Sequence, residues 1–397
     1  MEERFRFVEE CQAAELEFSE LCRMYGVSRK TGYKWLARYE EGGLANLQDR
    51  SRAPHVHPNQ IGGEVEQRVV GLRGEHSRWG PKKLWHMLER EHPGKPCPAI
   101  STIAAILKRH GLTWARKTKR RATPSEQPLS HAQGPNQVWC TDFKGWFRCG
   151  NGRRCYPLTL TDAASRYLLR CQALTTPDAE SSKAVFEAAF REFGLPEAMR
   201  SDNGTPFAST GIQGLTKLSV WWLKLGIRLE RIEPGEPQQN GRHERMHRTL
   251  KEETTQPVAA TLRQQQQKFD AFRKEYNEQR PHEALQFTTP ASQYQASSKT
   301  YPARLPEPEY AQHFKLHKIE PSGDLCWHYD RCFLGRALAG ELVGVEEIGD
   351  GTWRVWFGQL PLGEFEERVD RRHRRKHSCA RLKLRSPSGL PPPEPRT

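Results

Sequence analysis

The stretch Gln137–Leu174, QVWCTDFKGWFRCGNGRRCYPLTLTDAASRYLLRCQAL, decides the fold. Val138–Phe147 reads as a strand, Tyr156–Asp162 as a second across the Asn151-Gly152 turn, and Tyr167–Leu174 as a third. Further on, Asp178–Phe193 has the spacing of an amphipathic helix and Ala198–Ser201 reads as a short strand. Leu215–Leu225 reads as a helix, Arg228–Ile232 as a fifth strand, and Asn240 onward as helix again. Thr261–Gln279, polar and without an apolar stripe on every turn, is expected to lie over this layout as a long covering helix. Three strands followed by alternating helices and strands predict an α/β domain with a mixed sheet.

Upstream the chain reads as helical. Leu21, Cys22 and Tyr25 fall at helical spacing, Gly26-Val27 turns the chain, and Ser28 is a natural N-cap for Arg29–Tyr39, with Trp35, Leu36 and Tyr39 inward. This is the outline of a helix-turn-helix, whose Arg29, Lys30, Tyr33 and Lys34 would face a DNA groove; an ordinary helical hairpin with a basic face has the same outline. A second block, Glu64–Leu112, carries the stripes Val65, Val69, Leu72 and Leu84, Leu88. It then carries a helix expected to be capped by Ser101 and stopped by Gly111. Downstream, Lys315–Phe365 alternates as strands around an Asp350-Gly351 hairpin turn, with Trp353, Val355 and Phe357 on one face. It predicts a small β domain, with a five-stranded barrel as its candidate form. The organisation expected is therefore multidomain: helix-turn-helix at 1–50, a second at 62–121, a linker at 122–136, the mixed-sheet core at 137–295, a linker at 296–312, the β domain at 313–367 and a basic, Pro-rich tail at 368–397.

The 397 residues carry a formal charge of +14, and the excess is clustered: Lys108–Arg121 holds seven Lys or Arg and no acid, and Arg368–Arg385 holds nine against Asp370 alone. That pattern favours a polyanionic partner, nucleic acid first, over a merely solvated surface. No apolar run approaches bilayer length, and Met1–Gln12 lacks a signal-peptide apolar region, so no membrane association and a cytoplasmic location are expected. Cys149 and Cys155 could meet across the Gly-Asn-Gly turn, though reduced thiols are expected. His243 and His247 stand one turn apart, a zinc-site spacing, but without further ligands nearby.

Three carboxylates sit where such a layout puts them to use. Asp142 ends the alternating part of the first strand, Asp202 ends the fourth in SDNGTPF, and Glu244 lies on the helix after the fifth. Convergent anions repel, and a hard divalent cation with oxygen ligands is what would hold them together. Two such ions can clamp the attacking and leaving oxygens of a phosphoryl displacement. On the last helix Asn240, Glu244, Arg248 and Lys251 are spaced to share a face, placing cations beside the acid to grip phosphates. Bland alternatives exist for each: a Glu–Arg pair at i,i+4 worth about 0.2–0.5 kcal/mol, a turn aspartate for Asp202, and Asp162 as a rival to Asp142. Spacing alone leaves that rivalry open.

WCTDFKG, SDNGTPF, ERIEPGEPQQNGRHERMHRTLKEE and YNEQRPHEAL, in this order, resemble the integrase-type core of bacterial insertion-sequence transposases. Within them the chain is most similar to the group numbered four-eighty-one, relatives of retroviral integrases. The resemblance covers about residues 1–295. It implies a ribonuclease-H-like fold and an Asp-Asp-Glu triad that falls on Asp142, Asp202 and Glu244, with Asp162 structural. It also implies two Mg²⁺ ions per site, for which Mn²⁺ substitutes. The 41 residues between Asp202 and Glu244 exceed the retroviral interval, with the excess around Ser209–Leu215. Helix-turn-helix units stand where retroviral integrases have a zinc domain.

The activity so implied is DNA transposition: binding terminal inverted repeats, hydrolysing a phosphodiester and transferring the strand, in a nucleoid-associated homo-oligomer of at least two protomers. A catalytically silent DNA-binding repressor or architectural protein is the alternative. A nuclease acting on RNA–DNA hybrids is a third reading, one that leaves two DNA-reading modules unused.

Overall fold

The structure, a computed structural model, describes residues 2–49, 61–113, 132–232, 237–328, 330–367, 381–382 and 384–385. Residues 50–60, most of both basic runs, most of the expected linker at 122–136 and the tail from 386 lie outside the described residues. The chain forms two compact units, Met1–Glu66 and Gln67–Thr397.

The first unit holds three helices, α1 (Glu2–Ala13), α2 (Phe18–Met24) and α3 (Arg29–Gly42). Ser28 caps α3 as expected, its hydroxyl accepting from the Thr31 amide at 3.2 Å. Phe7, Val8, Leu21, Cys22 and Leu47 form the core, with Trp35, Leu36 and Tyr39 packed against it. Gly32 lies where the helices press closest: a Cβ there would come 2.8 Å from the Phe18 ring.

The second unit takes in most of α4 (Gly63–Glu75), then α5 (Pro81–Glu91) and α6 (Ile100–Arg109). Ala99, not Ser101, stands at the N-cap of α6, and no side chain caps it. The stop is as expected: Gly111 adopts φ +67°, and the Leu112 amide reaches back to the Leu107 carbonyl at 2.8 Å.

The core sheet contains β1 (Val138–Phe143), the short β2 (Phe147–Arg148), β3 (Arg154–Asp162), β4 (Leu168–Leu174), β5 (Ala198–Ser201) and β6 (Arg228–Arg231). Its path is β4-β3-β1-β5-β6, antiparallel among the first three and parallel from β1 through β6. The chain interrupts the expected first strand after Phe143. Helices α7 (Ala179–Phe193) and α8 (Lys217–Lys224) cover one face, burying Phe186, Phe190 and Trp222 against Trp139, Leu158 and Leu160. Helices α9 (Gly241–Thr254) and α10 (Leu262–Glu278) cover the other, where Met246, Leu250, Phe269 and Phe272 meet Leu168, Cys171 and Ala173. This is the ribonuclease-H-like arrangement. Helix α10 does carry a full stripe, Gln265, Phe269, Phe272 and Tyr276. Gln265 occupies one turn of it and bonds the Thr254 carbonyl, which hid the periodicity.

The segment 296–312 is tied along the core at its start, where the Ser297 amide bonds Phe193 O at 2.8 Å, the Leu195 amide bonds Lys299 O at 2.7 Å, and Tyr301 packs on Phe190 and Trp221. The β domain is not one closed barrel. Strands β7 (Lys315–Lys318), β10 (Leu342–Gly349), β11 (Thr352–Phe357) and β12 (Leu360–Glu366) form one sheet, and β8 (Asp324–Trp327), β9 (Asp330–Phe333) and β13 (Arg381–Leu382) a second. Trp353, Val355 and Phe357 do share the buried face, joined there by Leu215 and Val220 of the core.

Gly194 shows the strap's steric demand: its φ is +75°, and a Cβ would lie 2.7 Å from two backbone oxygens, of Ser297 and Lys299. Gly226 has the same φ but open space. Gly194→Ala should therefore lower unfolding stability by about 3 kcal/mol and Gly226→Ala by only about 1 kcal/mol, read from urea midpoints; equal losses would refute the close approach.

Candidate active site

Strand alternation and register place the acids. On β1, Trp139 points to the α7–α8 face, so Cys140 and Asp142 point to the α9 face. Parallel register pairs Val138 with Ala198 and Cys140 with Arg200; the same offset continued by two residues sets Asp142 level with Asp202. Asp202 is held in a turn in which its Oδ1 accepts from the Gly204 amide at 3.2 Å, while Asn203 Nδ2 donates to the Ile232 carbonyl at 2.5 Å. Glu244 lies in the first turn of α9, exposed on its flank with Arg248 and Lys251.

What sets α9 there is a buried polar network that spacing did not reveal. Thr159, paired with Asp142 across the sheet, shares one hydroxyl with His243 Nε2 at 2.8 Å, His247 Nε2 at 2.6 Å and the Asp142 carbonyl at 3.1 Å. A hydroxyl has one proton to give. Given to the carbonyl, which can only accept, it leaves both imidazoles donating from Nε2. His243 Nδ1 then accepts from Thr161 Oγ1 at 2.8 Å. Burial is the first cause that pushes His243 down to about 3 and His247 well below its ordinary range, so the buried site favours the neutral ring at both. The helical spacing that suggested zinc serves instead to dock a helix through neutral rings.

Asp142 feels the consequences. Burial, then the charge of Asp202, with Glu244 adding to it, push its carboxyl up to about 7. Asp202 is also raised, by burial. His247 Nδ1 faces Asp142 Oδ2 at 3.6 Å. Among the described residues, no three His, Cys, Asp or Glu side chains are gathered closely enough to hold a metal ion. The three acids are therefore brought within electrostatic reach without closing to coordination distance. Their chemistry suits a hard cation: oxygen donors only, and a repulsion that a divalent ion would offset.

Elsewhere, Asp162 is fully engaged in structure. Its carboxylate accepts from the Asn136 amide at 2.7 Å, the Ser165 amide at 2.8 Å and the Ser165 hydroxyl at 2.7 Å. Asn240 does not share the open face expected for it; it is 5% exposed at the start of α9. Arg29, Lys30, Tyr33 and Lys34 are exposed on α3, with the Tyr33 ring stacked on Phe18 at 4.2 Å. Cys149 and Cys155 are buried free thiols.

Residues 132–237 and 225–290 match two integrase core domain families, residues 3–55 a helix-turn-helix domain and 31–107 a homeodomain-like domain. An uncharacterized 31.7 kDa protein of insertion element IS407 from Burkholderia multivorans is 29% identical over 59% of this chain and 81% of its own length. A 39.2 kDa protein of insertion element IS476 from Xanthomonas euvesicatoria is 28% identical over 60% of this chain and 66% of its own length. Among solved structures, the HTLV-2 integrase catalytic core in complex with magnesium superposes over 42% of this chain and 100% of its own length, at 13% identity and a TM-score of 0.34.

The raised Asp142 carboxyl has a pH consequence. An acid whose folded-state value lies above its unfolded value of about 4 keeps its proton longer when folded, so its contribution to stability falls as pH rises from about 4 through about 7. Without divalent metal, Asp142→Asn should therefore melt at least about 2 °C above the parent at pH 8 and level with it near pH 4. Mg²⁺ should raise the parent's melting temperature at pH 8 more than the variant's. A variant that melts lower than the parent at pH 8 would contradict the repulsion.

Proposed function

We propose, from the premise that this chain is an insertion-element protein with an integrase-type core and helix-turn-helix domains, that it is a metal-dependent DNA transposase. It binds the terminal inverted repeats of its own element, hydrolyses a phosphodiester there and joins the strand end to target DNA. The observation that carries the reading is that Asp202, in the turn just past the parallel strand β5 beside β1, and Glu244, on the helix docked over the sheet, lie near enough for their charges to act on Asp142.

Asp142, Asp202 and Glu244 would hold two Mg²⁺ ions, which Mn²⁺ can replace. Such ions supply charge stabilisation for the attacking and leaving oxygens of the displaced phosphodiester. The chain's own part is positional. Thr159, His243 and His247 fix α9, and so Glu244, relative to Asp142. Arg248 and Lys251, exposed on Glu244's flank, grip phosphates of the DNA end as charged donors. Arg29, Lys30, Tyr33 and Lys34 read or grip the repeat in a groove. Joining two element ends requires at least two protomers, and the substrate places the protein with the nucleoid in the bacterial cytoplasm. No helix among the described residues is long and apolar enough to cross a membrane.

Asp142→Asn, Asp202→Asn and Glu244→Gln should each abolish Mg²⁺-dependent nicking of labelled element ends while changing end affinity less than about threefold. Wild-type cleavage by any one removes that residue from the site, and no nicked or joined product from the parent in Mg²⁺ or Mn²⁺ favours a silent DNA-binding protein. Deleting residues 1–59 should abolish preference for the terminal repeat over random duplex but keep salt-sensitive retention on DNA. Equal preference after deletion would assign recognition to other residues.

A further inference from the structure

The carboxylate site leaves one cluster of charge without a task, on the other flank of α9. Lys83 of α5, Arg166 after β3, Arg242 and Arg245 of α9, and Arg280 beyond α10 surround a cavity of about 380 Å³, lined also by His282, which burial pushes down to about 3 and leaves uncharged. Arg166 sits at φ +66°, and its Nε is buried with no hydrogen-bond partner. Among the described residues, Arg242 makes a single long bond, 3.4 Å to the Ala163 carbonyl. Among the described residues, Lys83, Arg166 and Arg245 have no ion-pair partner.

The nearby acids are already engaged: Glu283 holds Lys82 at 2.8 Å and Glu253 holds Arg280 at 2.6 Å. Burial, then the Arg280 charge, push the Lys83 ammonium down to about 7. Burial, then Arg242, push Arg166 down to about 10. Gathering like charge around an empty volume costs stability unless an anion completes it. Guanidinium forks match the paired oxygens of a phosphate group, and the volume falls in the roughly 300–1,000 Å³ range of ligand sites.

We propose that this cavity is a phosphate site that takes a phosphodiester group of the DNA strand away from the bond that is cut, clamping helices α4–α6 and the core to the same strand. It lies across α9 from Glu244, Arg248 and Lys251, so one helix would present the reaction on one flank and an anchor on the other. The proposal rests on the DNA-transposing reading for the identity of the strand. An inorganic or nucleotide phosphate has the same chemistry.

The test is binding of a labelled duplex in EDTA, by anisotropy across a salt series. It compares the parent, the exposed single variant Arg245→Gln and the double variant Lys83→Gln/Arg245→Gln. The expected result is affinity weakened about tenfold or more in the double variant, with the log–log salt slope reduced by about 1–2. The melting temperature without DNA should not fall, because repulsion has been removed. Inorganic phosphate should raise the parent's melting temperature and not the double variant's.

Parental affinity and slope in both variants would overturn the proposal, and loss of only the phosphate response would reassign the cavity to a small phosphate. Because no metal is present, a parent inactive in cleavage would sink the transposase reading without touching this result.

Discussion

One buried hydroxyl fixes the geometry on which everything else depends. Thr159 Oγ1, in the middle of the sheet, binds two imidazoles of α9 and the carbonyl of Asp142 at once. His243 and His247 are 2% and 3% exposed, so neither ring has water as an alternative partner. Each such bond is worth about 1 kcal/mol net, and leaving a ring nitrogen unpartnered there costs about 1–3 kcal/mol. That asymmetry allows one docking of α9, one turn at a time along the strand, and the docking puts Glu244 beside the sheet end where Asp142 and Asp202 lie. Met246 and Leu250 supply apolar area but little register; the threonine–histidine contacts supply the register.

The same packing creates electrostatic tension of both signs. On one flank of α9 Asp202 and Glu244 raise the free energy of the charged form of Asp142; on the other, arginines crowd a cavity. Hydrophobic burial on both sheet faces, at about 1.5–3 kcal/mol for each large side chain such as Phe186 or Phe269, is what makes this tolerable. Cation and polyanion are the two species that offset the two tensions, and a DNA strand with its counter-ions brings both together.

Much of this was legible because it is periodic. The alternation of Val138, Trp139, Cys140 and Thr141, the Ser28 cap, the Ala198–Ser201 strand and the Trp353–Phe357 face follow from local rules and stand as expected. Asp142 and Asp202 were legible as positions at strand ends and Glu244 as a position on the helix after the fifth strand, and the resemblance, not the spacing, chose Asp142 over Asp162. Long-range polar partnerships were not legible. Nothing local says that His243 pairs with Thr159 across 84 residues, or that Asn240 turns inward. The strap after α11 (Pro290–Gln293) looked like a linker because its ties are backbone bonds to Phe193 and Leu195, which leave no side-chain signature. Ser101 lost its cap because α6 begins two residues earlier than its side chain suggests. The barrel gave way to two sheets because Leu215 and Val220 of the core complete the interior that a closed barrel would fill by itself.

The most direct measurement of the central claim is the position of Mn²⁺ by anomalous scattering in crystals of the protein bound to duplex DNA. The account predicts manganese within about 2.0–2.3 Å of carboxylate oxygens from Asp142 and Asp202, with Glu244 drawn in to at least one ion. Manganese bound elsewhere, or Asp142 and Asp202 remaining apart with no ion between them in the DNA complex, would contradict it.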